Sequence, residues 1–249
     1  MEQSHASALG SHDESYFASF TDMLVGILFI FIILLVMVAS NYQNQQNESR
    51  KATEAVTKII ESRNVVLNEI GKSLEKAGVK VEIDLEQGIL RLPESILFDV
   101  GSDQVNPNGK AALAKLASVL EKYLPCLAVA DEKYRTACDC LELKSKGGLE
   151  AVFIEGHTDA SGSEHGYDNW GLSARRAITV FRELTASKPI LDRGIVNSHS
   201  VPVLGVSGYE ARRPVSTTDP QQNRRIDLRF IMRSPTPEDV DHINDALGR

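Results

Sequence analysis

The sequence predicts an α+β protein with a single N-terminal transmembrane helix, a helical linker and a C-terminal sandwich of a mixed sheet and helices. Two patterns predict this class. Residues 23–39 contain no polar side chain, which is typical of a membrane span. Further along the chain, helical and strand periodicities alternate, which indicates helices packed on a sheet.

The apolar stretch is long enough to cross a bilayer. Its seventeen residues rise about 26 Å as a helix, and adding residues 17–22 gives roughly 34 Å, against a hydrocarbon core of about 30 Å. A cleavable signal peptide has a basic start and a shorter apolar run, whereas residues 1–22 contain no Lys or Arg. We therefore predict an uncleaved span at residues 16–40, preceded by a short tail at residues 1–15.

Residues 41–79 predict a helical linker that also serves as a dimerisation segment. Its apolar positions recur at the spacing of an amphipathic helix, with one interruption at Arg63, and the pattern ends at Gly78. These positions are Val56, Ile59, Ile60, Val66, Leu67, Ile70 and Leu74. If this face pairs two copies of the chain, a charge at Ile60 or Leu67 weakens dimerisation; otherwise the face packs on its own domain.

The C-terminal domain is predicted at residues 80–235. It begins with a hairpin, in which residues 81–85 alternate, Gly88 turns the chain and residues 89–92 return. A helix follows at residues 107–123, with Asn106 as its cap and Pro107 in its first position. We further predict a strand at residues 149–155, a helix at residues 173–187 capped by Ser173, and a last strand at residues 225–232. We predict a loop-rich insertion at residues 125–148, and at residues 236–249 a tail that is either weakly structured or a short terminal helix.

Charge and cysteine content narrow the function classes. The net charge is −7 and the isoelectric point is near 5.4, which argues against a nucleic-acid partner because no basic stripe offsets the acidity. Cys126, Cys138 and Cys140 lie close together without a matching histidine pair, so we expect no zinc site. One disulfide from Cys126 to Cys138 or to Cys140 fits an oxidising compartment; the alternative is three reduced cysteines.

Three stretches, in order, identify the C-terminal domain by resemblance. They are ILFDVGSDQVNPNGKAAL (residues 96–113), IEGHTDASG followed by NWGLSARRAITVFREL (residues 154–184), and GYEARRPVSTTDPQQNRRIDLRF (residues 208–230). Together they resemble the OmpA-like peptidoglycan-binding domain. The resemblance implies that family's mixed-sheet and helix fold and its ligand, peptidoglycan.

The resemblance also implies a set of binding residues. Peptidoglycan stem peptides carry, at diaminopimelate, an ammonium beside a carboxylate, and a site for this zwitterion needs an acid and a fork-shaped base. By similarity, Asp159 binds the ammonium and Arg176 the carboxylate. Thr158, Asn169 and Leu172 shape the groove, and Arg224 either contacts the ligand or supports the site from behind. The helix start near Ser173 adds N–H groups that favour an anion.

The sequence favours a binding protein over an enzyme. It contains no recognisable Ser/Cys–His arrangement, zinc set or glycosidase carboxylate pair, so we predict no catalytic residue, metal or cofactor. His157 is expected to pack or to form hydrogen bonds, because His165 and His199 have no metal-ligand spacing to it.

Asp22 is the feature that extends the prediction beyond a wall-binding anchor. A carboxylate inside a membrane is costly and usually faces a protein interior or a water-filled path; otherwise it marks the headgroup boundary and stays ionised. Tyr16, Phe17 and Phe20 precede Asp22 and extend the apolar surroundings. A single span with an early Asp, joined by a linker to this domain, resembles the B-type subunit of proton-driven stators.

Within the stator families, the stretch FTDMLVGILFIFIILL is similar to the ZorB family, the B subunits of the Zorya anti-phage defence system. This resemblance implies that Asp22 carries protons, with sodium as an alternative ion. It also implies a homodimer surrounded by a polytopic ZorA-like ring subunit, with five ring copies around the dimer. The alternatives are a flagellar MotB-type subunit and a non-conducting wall anchor. Residues 169–177 look like the flagellar version, whereas the Cys-containing insertion departs from it.

Two signals disagree about membrane orientation. Arg50, Lys51 and Lys58 follow the span and taken alone favour a cytoplasmic C-terminal domain. The nearest of them lies eleven residues beyond Ala39, and the resemblance to a wall-binding domain favours the opposite orientation. We therefore predict a single-pass protein of the bacterial inner membrane, with a cytoplasmic N-terminus and a periplasmic C-terminal domain.

Overall fold

The computed structural model describes residues 10–99, 101–138, 141, 143, 148–161 and 168–234. The chain divides into two units, residues 1–53 and residues 54–249, and each is treated by itself below. The start of the predicted N-terminal tail, Cys140, His165 and the predicted C-terminal tail lie outside the described residues.

The first unit contains most of the long helix α1, which begins at Gly10 and ends at Lys76. Between Met23 and Val38, the large apolar side chains are all exposed in the isolated chain. This segment is long and apolar enough to cross a membrane, and it is the one such segment among the residues described. The predicted N-terminal apolar helix is therefore confirmed, and the exposed Asp22 lies at its start.

The second unit begins inside α1, at residue 54, and not near residue 80 as predicted. The reason is packing: Val66, Leu67, Ile70 and Leu74 are completely buried in the core of this unit. Residues 54–76 are therefore part of the C-terminal domain and not a separate linker. Ile60 remains partly exposed, at 38%.

Arg63, which interrupts the apolar pattern of α1, ties this helix to the hairpin. Its Nη2 atom donates a 2.6 Å hydrogen bond to the carbonyl oxygen of Leu85. The guanidinium lies against Gly88, where a Cβ atom would come within 2.5 Å of Nη1. Gly88 also has a φ of +68°, so both its backbone conformation and its contact with Arg63 favour glycine.

The sheet contains five strands: β1 (Glu82–Asp84), β2 (Ile89–Pro93), β3 (Leu149–His157), β4 (Leu204–Gly208) and β5 (Arg225–Met232). Their spatial order is β1-β2-β5-β3-β4. Only the β3–β4 pair is parallel among these strands, so the sheet is mixed, as predicted. The sequence analysis did not predict β4, whose sequence, LGVSG, has two glycines and little alternation.

The helices of the second unit after α1 are α2 (Glu94–Leu97), α3 (Pro107–Tyr123), α4 (Asn169–Ser187), α5 (Ile190–Arg193) and α6 (Pro220–Asn223). Short 3-10 helices follow α3 at Leu124–Cys126 and at Glu132–Tyr134. The predicted cap of α3 is present, because Asn106 Oδ1 accepts a 2.7 Å hydrogen bond from the Gly109 N–H.

Helix α4 begins one turn earlier than predicted, and Ser173 is not its cap. Asp168 caps the helix, because its Oδ1 atom accepts a 2.8 Å hydrogen bond from the Gly171 N–H. Ser173 is instead fully buried. Its hydroxyl donates to the carbonyl of Trp170 and accepts from the N–H of Glu210. The anion-favouring N–H groups expected near Ser173 therefore belong to the interior of the helix.

Two glycines allow α4 to lie directly on the sheet. A Cβ atom on Gly156 in β3 would come within 1.9 Å of the Ser173 carbonyl oxygen, and one on Gly208 in β4 would come within 2.7 Å of the Ala174 nitrogen. No larger residue fits at this approach without moving backbone. The close contact brings the first turns of α4 beside the end of β3, where the candidate site lies.

Candidate ligand-binding site

Asp159 follows the end of β3 and is 6% exposed. Its Oδ1 atom accepts hydrogen bonds from the N–H and the hydroxyl of Ser161. Its Oδ2 atom accepts from Nη1 of Arg224. Burial works to raise the pKa of the Asp159 carboxyl, but the bonds from Ser161 and Arg224 outweigh it and hold the pKa below its usual range. Asp159 is therefore an ionised acid at neutral pH.

Arg176, on the second turn of α4, is 2% exposed. Its Nη2 atom lies 2.6 Å from Oε1 of Glu94 in an ion pair. Its Nε atom donates a 2.9 Å hydrogen bond to the Ser102 carbonyl, and its guanidinium carbon lies 5.4 Å from the centre of the Phe98 ring. The predicted binding arginine is thus enclosed by protein on several sides.

Glu94 is the residue of this site that the sequence analysis missed. It is 6% exposed, and its Oε2 atom lies 3.1 Å from Nε of Arg224. The four charged side chains therefore form a row of alternating sign, which runs from Arg176 to Glu94 to Arg224 to Asp159. Buried charges paired in this way cost much less than isolated ones.

The sheet register explains how Glu94 reaches the site. Pro93 at the end of β2 pairs with Arg225 at the start of β5. The next residue on each side is Glu94 and Arg224, and the Glu94 N–H donates a 3.1 Å hydrogen bond to the Arg224 carbonyl. No spacing within the sequence links these two positions, so only the pairing of the two strands could have indicated the contact.

The remaining predicted residues lie around this row of charges. Asn169 donates a 3.0 Å hydrogen bond from Nδ2 to the Asp159 carbonyl. Thr158 and Leu172 are 3% and 5% exposed; the Thr158 N–H donates to the Glu210 carbonyl. Because both side chains are buried, these two residues contribute little open surface to the site.

A second cluster surrounds His157, the last residue of β3. This buried ring stacks on Tyr209 at 5.4 Å, and its Nε2 atom lies 3.7 Å from Glu155 and 3.6 Å from Asp227. Burial lowers the pKa of His157 below its ordinary value, so the ring is neutral at pH 7.

Glu155, His157 and Asp227 could by proximity hold a cation, but their surroundings argue against it. Arg229 donates two hydrogen bonds, of 2.8 and 2.9 Å, to Glu155. Asp227 accepts from Arg91 and Arg225. A metal ion would have to displace three guanidinium groups from these two acids, so the cluster is an ion-pair network of the core.

Of the two disulfides left open by the sequence, the structure contains Cys126–Cys138, with a Cα–Cα distance of 5.2 Å. Cys126 is fully buried at the end of the 3-10 helix after α3, so the bond attaches the insertion to the core.

Comparison with known proteins identifies the domain. Residues 130–227 match the model of the OmpA family. No curated protein sequence matches the chain.

Several solved structures are similar to part of the chain, at low identity. A MotB-like protein from Desulfovibrio vulgaris is 20% identical, with a TM-score of 0.48; the similarity covers 71% of this chain and 98% of that one. The periplasmic domain of Helicobacter pylori MotB is 19% identical, with a TM-score of 0.42 and coverage of 65% and 83%. The cell wall anchor of the type VI secretion system from Pseudomonas aeruginosa is 18% identical, with a TM-score of 0.43 and coverage of 69% and 99%. At these low TM-scores the assignment depends on the family match. The C-terminal α+β unit, with its mixed sheet, is an OmpA-like domain.

Proposed function

We propose that the C-terminal domain binds peptidoglycan and anchors the protein to the cell wall. The observation that carries this proposal is the ion pair between Asp159 and Arg224 beside the first turns of α4. An acid and a guanidinium held side by side are complementary to an ammonium and a carboxylate on one ligand atom, as in diaminopimelate. Arg176, the binding arginine implied by the family resemblance, is one step away through Glu94.

Co-sedimentation of the full chain in detergent with purified sacculi tests wall binding. Asp159→Asn removes the negative charge that would bind the ammonium, and we expect the bound fraction to fall at least tenfold, since hydrogen bonds to charged groups are worth about 1.5–3 kcal/mol. Arg193→Gln is the control, because Arg193 is 84% exposed and is not among the residues assigned to the site. Equal sedimentation of Asp159→Asn and the wild type would contradict the proposal.

We further propose that the protein is a stator-type subunit of a proton-driven rotary motor, in which Asp22 carries the ion. Asp22 lies at the start of the apolar segment of α1, and the large side chains that follow it are exposed in the isolated chain. In a membrane, a carboxylate at this position needs a companion subunit or a water path. A homodimer inside a ring of a polytopic ZorA-like subunit, with five copies around the dimer, would provide both.

In this arrangement, protons from the periplasm neutralise one Asp22 at a time. Moving one charge across 100 mV is worth about 2.3 kcal/mol, which is enough to bias a rotation step. The wall-bound domains hold the dimer still while the ring turns. This role requires an inner-membrane protein with its N-terminus in the cytoplasm and its OmpA-like domain in the periplasm.

Replacement of Asp22 separates a motor from a tether. Asp22→Asn keeps the size of the side chain and removes the carboxylate that would carry the proton, so we expect normal membrane insertion and complete loss of function in cells that carry the ring subunit. Asp22→Glu, which keeps a carboxylate, should retain part of the function. A fully active Asn variant would leave only the non-conducting wall anchor.

We favour the Zorya defence system over the flagellar motor because of the resemblance of the span to the ZorB family. The two are distinguished by phenotype: deletion of the gene should lower resistance to phage and leave swimming unchanged. Loss of swimming with unchanged resistance would identify a MotB-type subunit.

A further inference from the structure

We propose that Glu94 is a specificity-determining residue of the candidate site. Its negative charge makes the row of charges neutral as a whole, so that a group with both an ammonium and a carboxylate binds better than a carboxylate alone. This inference rests on the proposed binding of a peptidoglycan stem peptide. Glu94 acts through its charge and through the two arginines that it contacts, whichever donors of the row bind the ligand carboxylate.

Glu94 lies between the two guanidinium groups of the row. Its Oε1 atom is 2.6 Å from Nη2 of Arg176, and its Oε2 atom is 3.1 Å from Nε of Arg224. The side chains of Glu94 and Arg176 are 7% and 2% exposed, whereas that of Arg224 is 30% exposed. Each oxygen of Glu94 therefore lies beside a protein cation, and Glu94 contributes charge to the site and little open surface.

The charge of Glu94 depends on these contacts. Burial raises the pKa of Glu94 above its ordinary value, and the nearby charge of Asp159 acts in the same direction. The guanidiniums of Arg176 and Arg224 oppose this rise, because they stabilise the carboxylate more than the neutral acid. The two ion pairs therefore favour the ionised form of Glu94.

The net charge of the row is zero, because Arg176 and Arg224 are balanced by Glu94 and Asp159. Asp103 also attracts Arg176, but it is partly exposed and forms no ion pair with Arg176 among the residues described, so solvent screens it more strongly. A zwitterion leaves the net charge at zero, since its ammonium binds Asp159 and its carboxylate binds a guanidinium. A carboxylate alone adds an unbalanced negative charge to a largely buried group, which is unfavourable.

Glu94→Gln retains the size of the side chain and removes its charge. The row then carries an excess positive charge, which a carboxylate alone can neutralise. At an effective dielectric constant of about 20, two unit charges closer than about 12 Å change each other's affinity by at least about tenfold. Glu94 and a ligand carboxylate are closer than this when both contact the same planar guanidinium.

The test measures the binding of two peptides to the full chain in detergent by titration calorimetry. One peptide is L-Ala–γ-D-Glu–meso-diaminopimelate. In the other, 2-aminopimelate replaces diaminopimelate, which removes the amino group beside the far carboxylate and keeps that carboxylate. The wild type should prefer the diaminopimelate peptide by at least about tenfold, the value of a charged hydrogen bond. A misfolded fraction does not change this ratio, because it affects both peptides equally.

Glu94→Gln should lower this preference by about tenfold, chiefly through tighter binding of the 2-aminopimelate peptide. Glu94→Asp retains the charge and should retain the wild-type preference, although its shorter side chain weakens the binding of both peptides. Glu82→Gln is the matched control, because Glu82 pairs with Arg91 outside the row and its side chain is 71% exposed. Glu94→Ser, which also removes the charge, replaces the Gln variant if that variant does not fold.

An unchanged preference in Glu94→Gln would overturn the inference. An equal fall in Glu94→Asp would also overturn it, because the shape of the side chain and not its charge would then set the preference. A wild type that binds sacculi but does not distinguish the two peptides would overturn this inference and leave wall binding intact. If the wild type binds neither peptide nor sacculi, the proposed wall-binding function itself fails.

Discussion

Leu67→Ala tests whether the apolar face of α1 beyond the apolar segment packs in the core of the second unit or pairs two copies of the chain. Leu67 is completely buried in the core of the second unit. Removing most of its side chain loses the transfer free energy of the deleted carbons and leaves a cavity, at a total cost of about 2–5 kcal/mol. A urea dependence of about 2 kcal/mol per molar converts this cost into a fall of roughly 1–2.5 M in the unfolding midpoint.

The assay is urea unfolding of the full chain in detergent, followed by the fluorescence of Trp170, which lies in α4 of the same unit. Ile60→Ala is the matched control, because Ile60 is on the same helix but 38% exposed. We expect the control to change the free energy of unfolding by less than about 1 kcal/mol. Crosslinking of the dimer is measured in parallel for both variants.

A different outcome would refute the reasoning. If Leu67→Ala leaves the urea midpoint unchanged but lowers dimer crosslinking, this face pairs two copies of the chain and does not belong to the core. If both variants lower the urea midpoint equally, the exposure of the side chain does not determine the loss of stability at these two positions.

Three further predictions concern the OmpA-like domain. Acidification from pH 7.5 to 5.5 should lower the melting temperature, because the pKa of His157 is below 6.5 in the folded protein and the unfolded chain therefore takes up a proton that the folded chain does not bind. His157→Phe should reduce this dependence of the melting temperature on pH. The same pH dependence in the variant and the wild type would contradict the role of His157. Gly156→Ala should destabilise the domain by more than about 2 kcal/mol in thermal unfolding, because the added Cβ would meet the backbone of α4. Gly26→Ala is the control and should not destabilise the domain, because a Cβ at the exposed Gly26 meets nothing within 4 Å. Reduction of Cys126–Cys138, which are separated by 12 residues, should cost about 2–3 kcal/mol by the loop-entropy relation, and equal melting temperatures with and without reductant would contradict it.

Several elements could be predicted because their signals are local. The apolar segment of α1, helix α3 with its Asn106 cap, and strand β5 each depend on a continuous run of residues whose side chains suit one conformation. Strand β4 could not be predicted in this way. Its five residues form a strand because β3 supplies a parallel partner, and that partner lies about 50 residues away in the sequence.

Arg63 is a second position whose role depends on a distant segment of the chain. In the sequence it only interrupts the apolar pattern of an amphipathic helix. In the structure it donates hydrogen bonds to the hairpin turn 22 residues later, so a charged side chain can lie in a buried position.

The site was predicted in part. Asp159, Asn169 and Arg224 lie together, and the resemblance indicated all three. Glu94 was missed, although it contacts both arginines, because its position depends on the register between β2 and β5. The difference in exposure between Arg176 and Arg224 could not be predicted either, because the exposure of a side chain depends on which neighbours cover it in the folded domain.

By itself, the sequence determined that this protein has an apolar helix with an acid at its start, followed by an OmpA-like α+β domain. The apolar helix follows from composition along the chain, whereas the OmpA-like domain was indicated by the resemblance of three stretches to that family. The tertiary structure alone decided that the end of α1 belongs to the domain core, and that Glu94 links two arginines of unequal exposure. These properties depend on which distant segments touch, because burial and charge pairing arise only when the strands and helices come together.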